Sequence, residues 1–197
     1  MSHSQLTKLA LENSLKELMI EYPINKISIK MITDRCQLTR HTFYNHFEDV
    51  YDLLASMFEH EVIDDLEKCC NLQRWKHGVT LVLQYTLDHK KICLNTYRSL
   101  GREHLDYFLY KIFKDILMGL LKSLPDSDCL DQPFLDDVSD FFSYAIVGQF
   151  LAWLNTGLKE PPQAIANRIF RMLDGTILRL VKNHLAEHKI TQITQFV

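Results

Sequence analysis

The amino-acid sequence predicts an all-α protein of about nine helices, and three observations support this fold class. The 197 residues include only six glycines and five prolines, so turns are few and the segments between them are long. Apolar residues recur at intervals of three and four along most of the chain, which is the period of a helix with one buried face. Hydrophobic residues make up 47% of the chain, which is enough to form a sizeable core.

The N-terminal part is predicted to contain three short helices. The first helix ends at about Glu21, because Tyr22 precedes Pro23 and a residue before proline avoids the α conformation. Ser28 and Thr39 are suitable N-cap residues for the second and third helices, which a short turn separates. This part of the chain is therefore expected to form a small helical module.

The remainder is predicted to form a helical bundle, with a domain boundary that separates residues 1–48 from residues 49–197. Asp49 is a suitable N-cap residue for the longer helix that begins this bundle. A long amphipathic helix is predicted from Leu105 to Leu124, and the next from about Pro133 to Gly157. A last helix is predicted from about Gln163 to Leu185, followed by a loose polar tail.

The charge of the chain excludes a protein that coats nucleic acid without sequence preference, because such proteins are usually basic. The net charge is −3, from 22 basic and 25 acidic residues. The segment 24–47 is nevertheless locally basic, with Lys26, Lys30, Arg35 and Arg40 against Asp34. A local cationic surface is therefore predicted in the N-terminal module.

The chain is predicted to be cytoplasmic. Its five cysteines show no paired spacing, and the N-terminal residues lack the apolar core of a signal peptide. Residues 141–158 contain no charged side chain, but several polar residues interrupt them, which favours a helix buried in protein over a membrane span.

Neither an enzyme nor a cofactor or metal site is predicted. The sequence contains no glycine-rich phosphate loop, nucleophile elbow or catalytic carboxylate pair. His184 and His188 have the spacing of two metal ligands, but without a third ligand nearby an exposed helix face is favoured.

The most informative segment is residues 27–47, which predicts two short helices joined by a turn. Ile32 and Phe43 are expected to face inward, and Leu38 is expected to fill the turn. The outward face of the second helix then presents guanidinium, imidazole, hydroxyl, amide and phenol groups. Such groups donate hydrogen bonds to phosphates and reach base edges in a major groove.

This segment resembles the TetR family of one-component transcriptional regulators. In that family, the second of these two helices, which is the third helix of the chain, ends in a Tyr-x-His-Phe signature. The signature is present as Tyr44-Asn45-His46-Phe47, and the resemblance covers about residues 7–55. It implies a homodimer that binds double-stranded DNA at a palindromic operator. The implied phosphate contacts are Ser28, Thr39, Tyr44 and His46, with Lys30 adding positive charge, and the implied base contacts are Arg40, His41, Thr42 and Asn45. The alternative is that Tyr44 and His46 only cap a three-helix core.

Two residues depart from the family pattern. Gln37 stands where the family usually has a turn glycine, so this backbone must reach its conformation without the positive φ that glycine allows easily. Val50 stands where many members have a lysine, which removes one expected phosphate contact.

The dimer face is predicted on the last helices of the bundle. Ala145, Gly148 and Ala152 repeat at helical spacing and would allow two helices to approach closely. The predicted interface residues are Phe142, Ala145, Gly148, Gln149, Ala152, Trp153, Ile169, Leu173, Thr176 and Leu180. The alternative is that this stripe belongs to the core of one subunit, because core and interface stripes have the same period.

The resemblance also implies a small-molecule effector bound inside the bundle. Candidate lining residues are Trp75, Tyr85, His89, Cys93, Tyr97, Tyr107 and Tyr110, although aromatic residues in a bundle are more commonly ordinary core. As an alternative, the bundle binds a protein partner, because the Trp153, Gly157 and Pro161-Pro162 segment weakly resembles activators associated with dihydroxyacetone kinase-like subunits.

Overall fold

The structure, a computed structural model, describes residues 2–99 and 102–194; side chains are described there except at 63–65, 102–104 and 188–194. These residues form ten α-helices and no β-strand, so the predicted all-α fold is confirmed. The helices are α1 (His3–Glu21), α2 (Ile29–Arg35), α3 (Arg40–Tyr44), α4 (Val50–Leu66), α5 (Trp75–Asp88), α6 (Lys90–Arg98), α7 (Arg102–Lys122), α8 (Gln132–Asn155), α9 (Pro162–Leu173) and α10 (Thr176–Thr194).

The first three helices pack together and against the start of α4. Their shared core includes Leu11, Leu15, Ile32, Phe43 and Leu53, which are all fully buried. Leu11 and Leu15 lie one turn apart on α1, so the helical period of the sequence turns both toward α2 and α4. We refer to this unit, residues 2–48, as the head.

The bundle is built around the antiparallel pair α7 and α8. Phe113 on α7 and Phe150 on α8 are buried with their ring centroids 6.2 Å apart, and Trp153 packs edge-on against Phe150. Asp131 begins α8 by accepting a hydrogen bond from the backbone N–H of Phe134 at 2.8 Å. No helix in the described ranges is both long enough and apolar enough to cross a membrane.

The last predicted helix is divided in two, which makes ten described helices where the sequence predicted about nine. Gly175 has φ of +77° and lies between α9 and α10. A left-handed residue interrupts the hydrogen-bond ladder of an α-helix, and glycine adopts this conformation at little cost. The helical period continues across the break, which is why the sequence suggested a single helix. The second of the two helices also extends to Thr194, beyond the predicted end at Leu185.

Several polar contacts join the head to the bundle. Asn95 on α6 accepts a hydrogen bond from the backbone N–H of Ile24 and donates to the carbonyls of Met19 and Tyr22, at 2.9, 2.8 and 2.7 Å. We call this set of three bonds the Asn95 clamp. A second contact is the ion pair between Lys16 on α1 and Glu61 on α4, at 2.7 Å.

Candidate nucleic-acid interface

The second helix of the head begins and ends as the sequence predicts. The side chain of Ser28 accepts a hydrogen bond from the backbone N–H of Met31 at 3.3 Å, so Ser28 is the N-cap of α2. Ile32 is fully buried beneath this helix. The hydroxyl of Ser14 on α1 donates to the carbonyl of Ile32 at 2.8 Å, which fixes α2 against α1.

The turn between α2 and α3 requires a left-handed residue. Gln37 has φ of +55°, and the backbone N–H of Leu38 donates to the carbonyl of Thr33 at 2.9 Å. This is the helix-ending geometry in which glycine is usually found. The head therefore keeps the turn that the family pattern needs, although a glutamine adopts it. The side chain of Leu38 is half-buried against the core.

The third helix presents its polar residues to solvent. Thr39 caps α3 by accepting a hydrogen bond from the backbone N–H of Thr42 at 3.1 Å. Phe43 is fully buried and holds the helix against the core, while the adjacent Tyr44 is 60% exposed. The exposed or half-exposed residues are Arg40, His41, Thr42, Tyr44, Asn45 and His46. The structure therefore brings all six onto one short surface, and none of these six belongs to the core.

Hydroxyl groups lie at the N-terminal ends of α2 and α3. The hydroxyls of Thr39 and Thr42 lie 2.9 Å apart and are hydrogen-bonded to each other. Ser28 is exposed at the start of α2. A hydroxyl that accepts one bond retains a proton with which to donate to an anion.

The cations of the head divide into paired and unpaired groups. Arg35 is held by Glu21 at 2.9 Å, and this hydrogen bond raises the pKa of its guanidinium. Lys30 forms an exposed pair with Asp34 at 2.6 Å, which is weak enough to exchange for a phosphate. Arg40 and Lys26 form no ion pair with any described residue. Positive charge on this surface thus comes chiefly from Arg40, Lys26 and Lys30.

Sequence reasoning missed one cation near this surface. The ammonium of Lys8 on α1 lies 5.6 Å from the centroid of the Phe47 ring, directly after α3. A cation over an aromatic face is held in place without losing its charge. Lys8 lies seven residues, or two helical turns, before Leu15, so the sequence places both on the same side of the first helix. The sequence did not indicate how α1 crosses α3, and the contact with Phe47 was therefore missed.

The start of α4 is acidic. Asp49 accepts hydrogen bonds from the backbone N–H groups of Tyr51 and Asp52 at 2.7 and 2.9 Å, which confirms it as the predicted N-cap. Asp52 in turn accepts from the backbone N–H of Glu48 at 3.0 Å. Val50 is half-buried against the core, so this position supplies packing instead of a phosphate contact.

The predicted dimer residues divide between surface and core. Ala145, Gly148, Gln149, Ala152 and Leu180 are exposed. A groove of about 280 Å³ separates α8 from α9, and Phe142, Ile169 and Leu173 form its floor. Thr176 is half-buried and donates its hydroxyl to the carbonyl of Met172 at 2.9 Å.

Trp153 requires a correction. It is 1% exposed and donates its indole N–H to the carbonyl of Glu160 at 2.9 Å, so it belongs to the core of the subunit. Three exposed side chains on the same side of the bundle were missed: Phe141, Tyr144 and Met172, at 70%, 63% and 68% exposure. These three residues alternate with the predicted interface residues along α8 and α9. The helical period alone does not show which of these neighbouring positions are exposed.

Two of the residues predicted for a ligand pocket line a small void inside the bundle. These are Tyr85 and Cys93, and the volume of the void is about 20 Å³. Phe58, Phe108 and Phe150 fill the surrounding space. This volume is far below the roughly 300–1,000 Å³ of small-molecule sites.

The other candidate pocket residues lie elsewhere. Trp75 is buried with its ring centroid 5.4 Å from that of Phe170, and Tyr107 is 69% exposed. Tyr110 stacks on Tyr144 at 4.7 Å, on the outer surface between α7 and α8. His89 and Tyr97 are half-buried and do not line the void. The resemblance implied a shared cavity lined by these residues, but α5, α6 and α7 place several of their side chains at different positions in the bundle.

The groups at Tyr110 form a polar cluster of their own. The Tyr110 hydroxyl donates to Asp140 at 2.6 Å, and the ammonium of Lys114 lies 2.7 Å from the same carboxylate. The Lys114 ammonium, and then the Tyr110 hydroxyl, lower the pKa of Asp140. This cluster joins α7 to α8, so Tyr110 contributes to the contact between these two helices.

A three-helix head with an exposed polar third helix, joined to a helical bundle, defines the class of helix-turn-helix regulators. Comparison with known proteins gives the family. Residues 73–175 match the family model described as a transcriptional regulator C-terminal region of the TetR type. Because this match covers more than half of the chain, the protein belongs to the TetR family of transcriptional regulators.

Two relatives are named as activators. The chain is 26% identical over 109 residues to the HTH-type dhaKLM operon transcriptional activator DhaS of Lactococcus lactis subsp. lactis (strain IL1403). That match covers 55% of this chain and 58% of the length of the relative. A solved structure of the dihydroxyacetone kinase operon activator DhaS superposes with a TM-score of 0.60 at 18% identity, over 85% of this chain and 96% of that one. The structural match shows a shared fold.

Proposed function

We propose that the protein regulates transcription as a homodimer that binds a palindromic operator through two copies of the head. The observation that carries this proposal is the surface of α3, where Arg40, His41, Tyr44 and Asn45 are exposed above the fully buried Phe43. Buried aromatic and exposed polar residues alternate within one turn, so the core fixes the helix while its polar groups remain available to DNA.

Separate roles are proposed for the polar groups of the head. Ser28, Thr39, Tyr44 and His46, with Lys30, hold phosphates, because hydroxyl, phenol, imidazole and ammonium groups donate to phosphate oxygens. Arg40, His41, Thr42 and Asn45 lie near base edges, where guanidinium and amide groups distinguish base pairs.

Dimerisation is proposed through the outer face of α8 and the adjoining α9 and α10. Gly148 has no described atom within 4 Å of the position that a Cβ would occupy, so nothing within the subunit requires glycine there. The apolar side chains of Phe141 and Met172 are exposed beside it. A patch of this kind on the surface of one subunit supports a contact with a second copy.

Regulation by a small ligand is also part of the proposal. The names of the two relatives support control of transcription as the outcome of DNA binding. We further propose that the protein acts in the cytoplasm, in agreement with five cysteines that form no disulfide in the described structure.

Selection of bound sequences from random double-stranded DNA by the purified protein tests this function. Repeating the selection at two salt concentrations separates phosphate contacts from base recognition, because phosphate contacts weaken as salt rises. An enriched palindrome with half-sites one helical turn apart is the expected result. If no sequence is enriched at either salt concentration, the proposal is contradicted.

A further inference from the structure

A groove lies where the head meets the bundle, and its chemistry is unlike that of the interior void. The end of α1 and the following turn form one wall, and α6 forms the other. Its volume is about 680 Å³, against about 20 Å³ for the void. The lining residues are Met19, Ile20, Glu21, Tyr22, Pro23, Asn25, Lys90, Lys91, Leu94, Asn95, Arg98 and Ser99. We call this the α1–α6 groove.

The walls of the α1–α6 groove are apolar. Ile20 and Tyr22 are 53% and 43% exposed on the side of α1, and Leu94 faces them from α6. Ile20 and Tyr22 stay outside the core, because Leu15, Leu18 and Met19 already form the buried face of α1. These exposed apolar walls provide a surface for the carbon skeleton of a ligand.

The α6 side of the groove is cationic. Lys90, Lys91 and Arg98 are exposed, and no described residue forms an ion pair with any of them. Glu21 is the one acid in the lining, and its carboxylate is already held by Arg35 at 2.9 Å. Three positive charges therefore face the groove without compensation.

We propose that the α1–α6 groove binds a small amphipathic anion, in which a carboxylate, phosphate or sulfonate is attached to an apolar group. The anionic end contacts Lys90, Lys91 and Arg98, and the apolar end lies against Ile20, Tyr22 and Leu94. Charge-assisted hydrogen bonds to ammonium and guanidinium groups are the strongest contacts such a ligand forms here. The volume of the groove falls within the range that small-molecule sites occupy.

The groove is also placed to influence the head. Asn95 is one of its lining residues and at the same time holds Met19, Tyr22 and Ile24 through the Asn95 clamp. A ligand between α1 and α6 contacts both partners of the clamp, so it favours one orientation of the head over others. This regulatory consequence rests on the proposed function, whereas binding in the groove does not.

A fluorescence titration with 8-anilinonaphthalene-1-sulfonate tests the site directly. This probe is an amphipathic anion that becomes fluorescent in apolar surroundings, and N-phenyl-1-naphthylamine is a neutral probe of similar shape. We expect Lys91→Gln combined with Arg98→Gln to weaken binding of the sulfonate about tenfold, because each exposed ion pair contributes up to about 1 kcal/mol. Binding of the neutral probe should remain unchanged.

Two further variants locate the site. Ile20→Glu places a carboxylate on an exposed wall of the groove and should weaken sulfonate binding without affecting folding. Lys122→Gln combined with Lys182→Gln removes the same charge from exposed positions outside the groove and should have no effect. Equal sulfonate affinity in the groove variants and in this control would overturn the proposal.

DNA titrations separate this proposal from the proposed function. With an operator from the selection experiment, octanoate should change the affinity of the protein for DNA, and the change should disappear in the Lys91→Gln, Arg98→Gln variant. Failure of the unliganded protein to bind DNA would contradict the proposed function, while the fluorescence result would still decide the site. A smaller salt dependence of DNA binding in this variant, without any change in sulfonate binding, would assign these cations to DNA phosphate and overturn the anion site.

Discussion

The side-chain carbonyl of Asn95 accepts a hydrogen bond from the backbone N–H of Ile24, a residue 71 positions earlier in the chain. The same amide group donates to the carbonyls of Met19 and Tyr22. One side chain in the bundle thereby satisfies three backbone groups at the end of α1. The orientation of the head relative to α6 depends on this residue.

Replacing Asn95 by alanine should reduce stability and loosen the head. The variant leaves three backbone groups without their partner, and two of these bonds are partly buried. We expect a cost of about 1–3 kcal/mol in the free energy of unfolding. Chemical denaturation measures this loss, and hydrogen exchange at Ile24 reports the local opening. Gln84→Ala is the control, since Gln84 bonds only to the nearby Asp88 on an exposed face. Equal stability of the two variants would contradict the importance of the clamp.

Changing Tyr44 should affect DNA binding but not folding. Its ring is 60% exposed and stands edge-on to Phe43, with centroids 5.7 Å apart. Tyr44→Phe removes a phosphate donor and should weaken binding to all sequences by about 1 kcal/mol, roughly fivefold. Tyr107→Ala, at a tyrosine of similar exposure on α7, should leave affinity unchanged. Fluorescence anisotropy with operator and random duplexes distinguishes these outcomes.

Changing Arg40 should alter sequence preference. A guanidinium that contacts a base edge contributes about 1–3 kcal/mol of discrimination at one base pair. Selection with the Arg40→Ala protein should therefore recover a motif that is degenerate at symmetric positions in the two half-sites. Arg171→Ala removes an exposed arginine from α9 and serves as the control. An unchanged motif would exclude Arg40 from base recognition.

Substituting glycine for Gln37 should stabilise the protein. The residue has φ of +55°, where a side chain is crowded against the following carbonyl and costs about 1 kcal/mol relative to glycine. Gln37→Gly should raise the midpoint of thermal unfolding, whereas Asp34→Gly within α2 should lower it because α2 has no such need. A fall in stability for both variants would show that the left-handed turn stores no strain.

The histidine between α5 and α6 should make stability depend on pH. Burial, and then the charge of Lys16, lower the pKa of His89 below its ordinary value of 6.5. The unfolded chain therefore binds a proton that the folded chain does not, and stability falls as the pH is lowered from 6.5 through the folded pKa. Above this range the contribution is constant.

The variant His89→Gln removes this titration. Its stability difference from the unmodified protein should be greatest near neutral pH and should shrink as the pH falls toward 5. Urea denaturation at several pH values measures the difference. A difference independent of pH would contradict the role of His89.

The head could be predicted from the sequence because its signals are local. Ser28, Thr39 and Asp49 each cap a helix whose first N–H groups lie within three residues, and all three predictions are confirmed. The polar surface of α3 follows from the position of Phe43 alone. The DNA contacts assigned to these residues stay predictions.

The bundle could be predicted only in outline. Trp153 and Gly148 were predicted for the same interface, yet one is core and the other surface, because five residues of helix separate them by about 140° of rotation around α8. The α1–α6 groove depends on residues about 70 positions apart. Its one local signal was Lys90, Lys91 and Arg98, which repeat at helical spacing on a helix without acids.

The acidic start of α4 sets a limit on how DNA can approach the head. Glu48, Asp49 and Asp52 follow the cationic surface of α2 and α3 directly. A duplex rotated toward α4 brings its phosphates against three carboxylates, and such like-charge contacts cost several kcal/mol. For the proposed DNA-binding function, we therefore expect misaligned encounters to be short-lived, so that the angle of the head on the duplex is selected before base pairs are contacted.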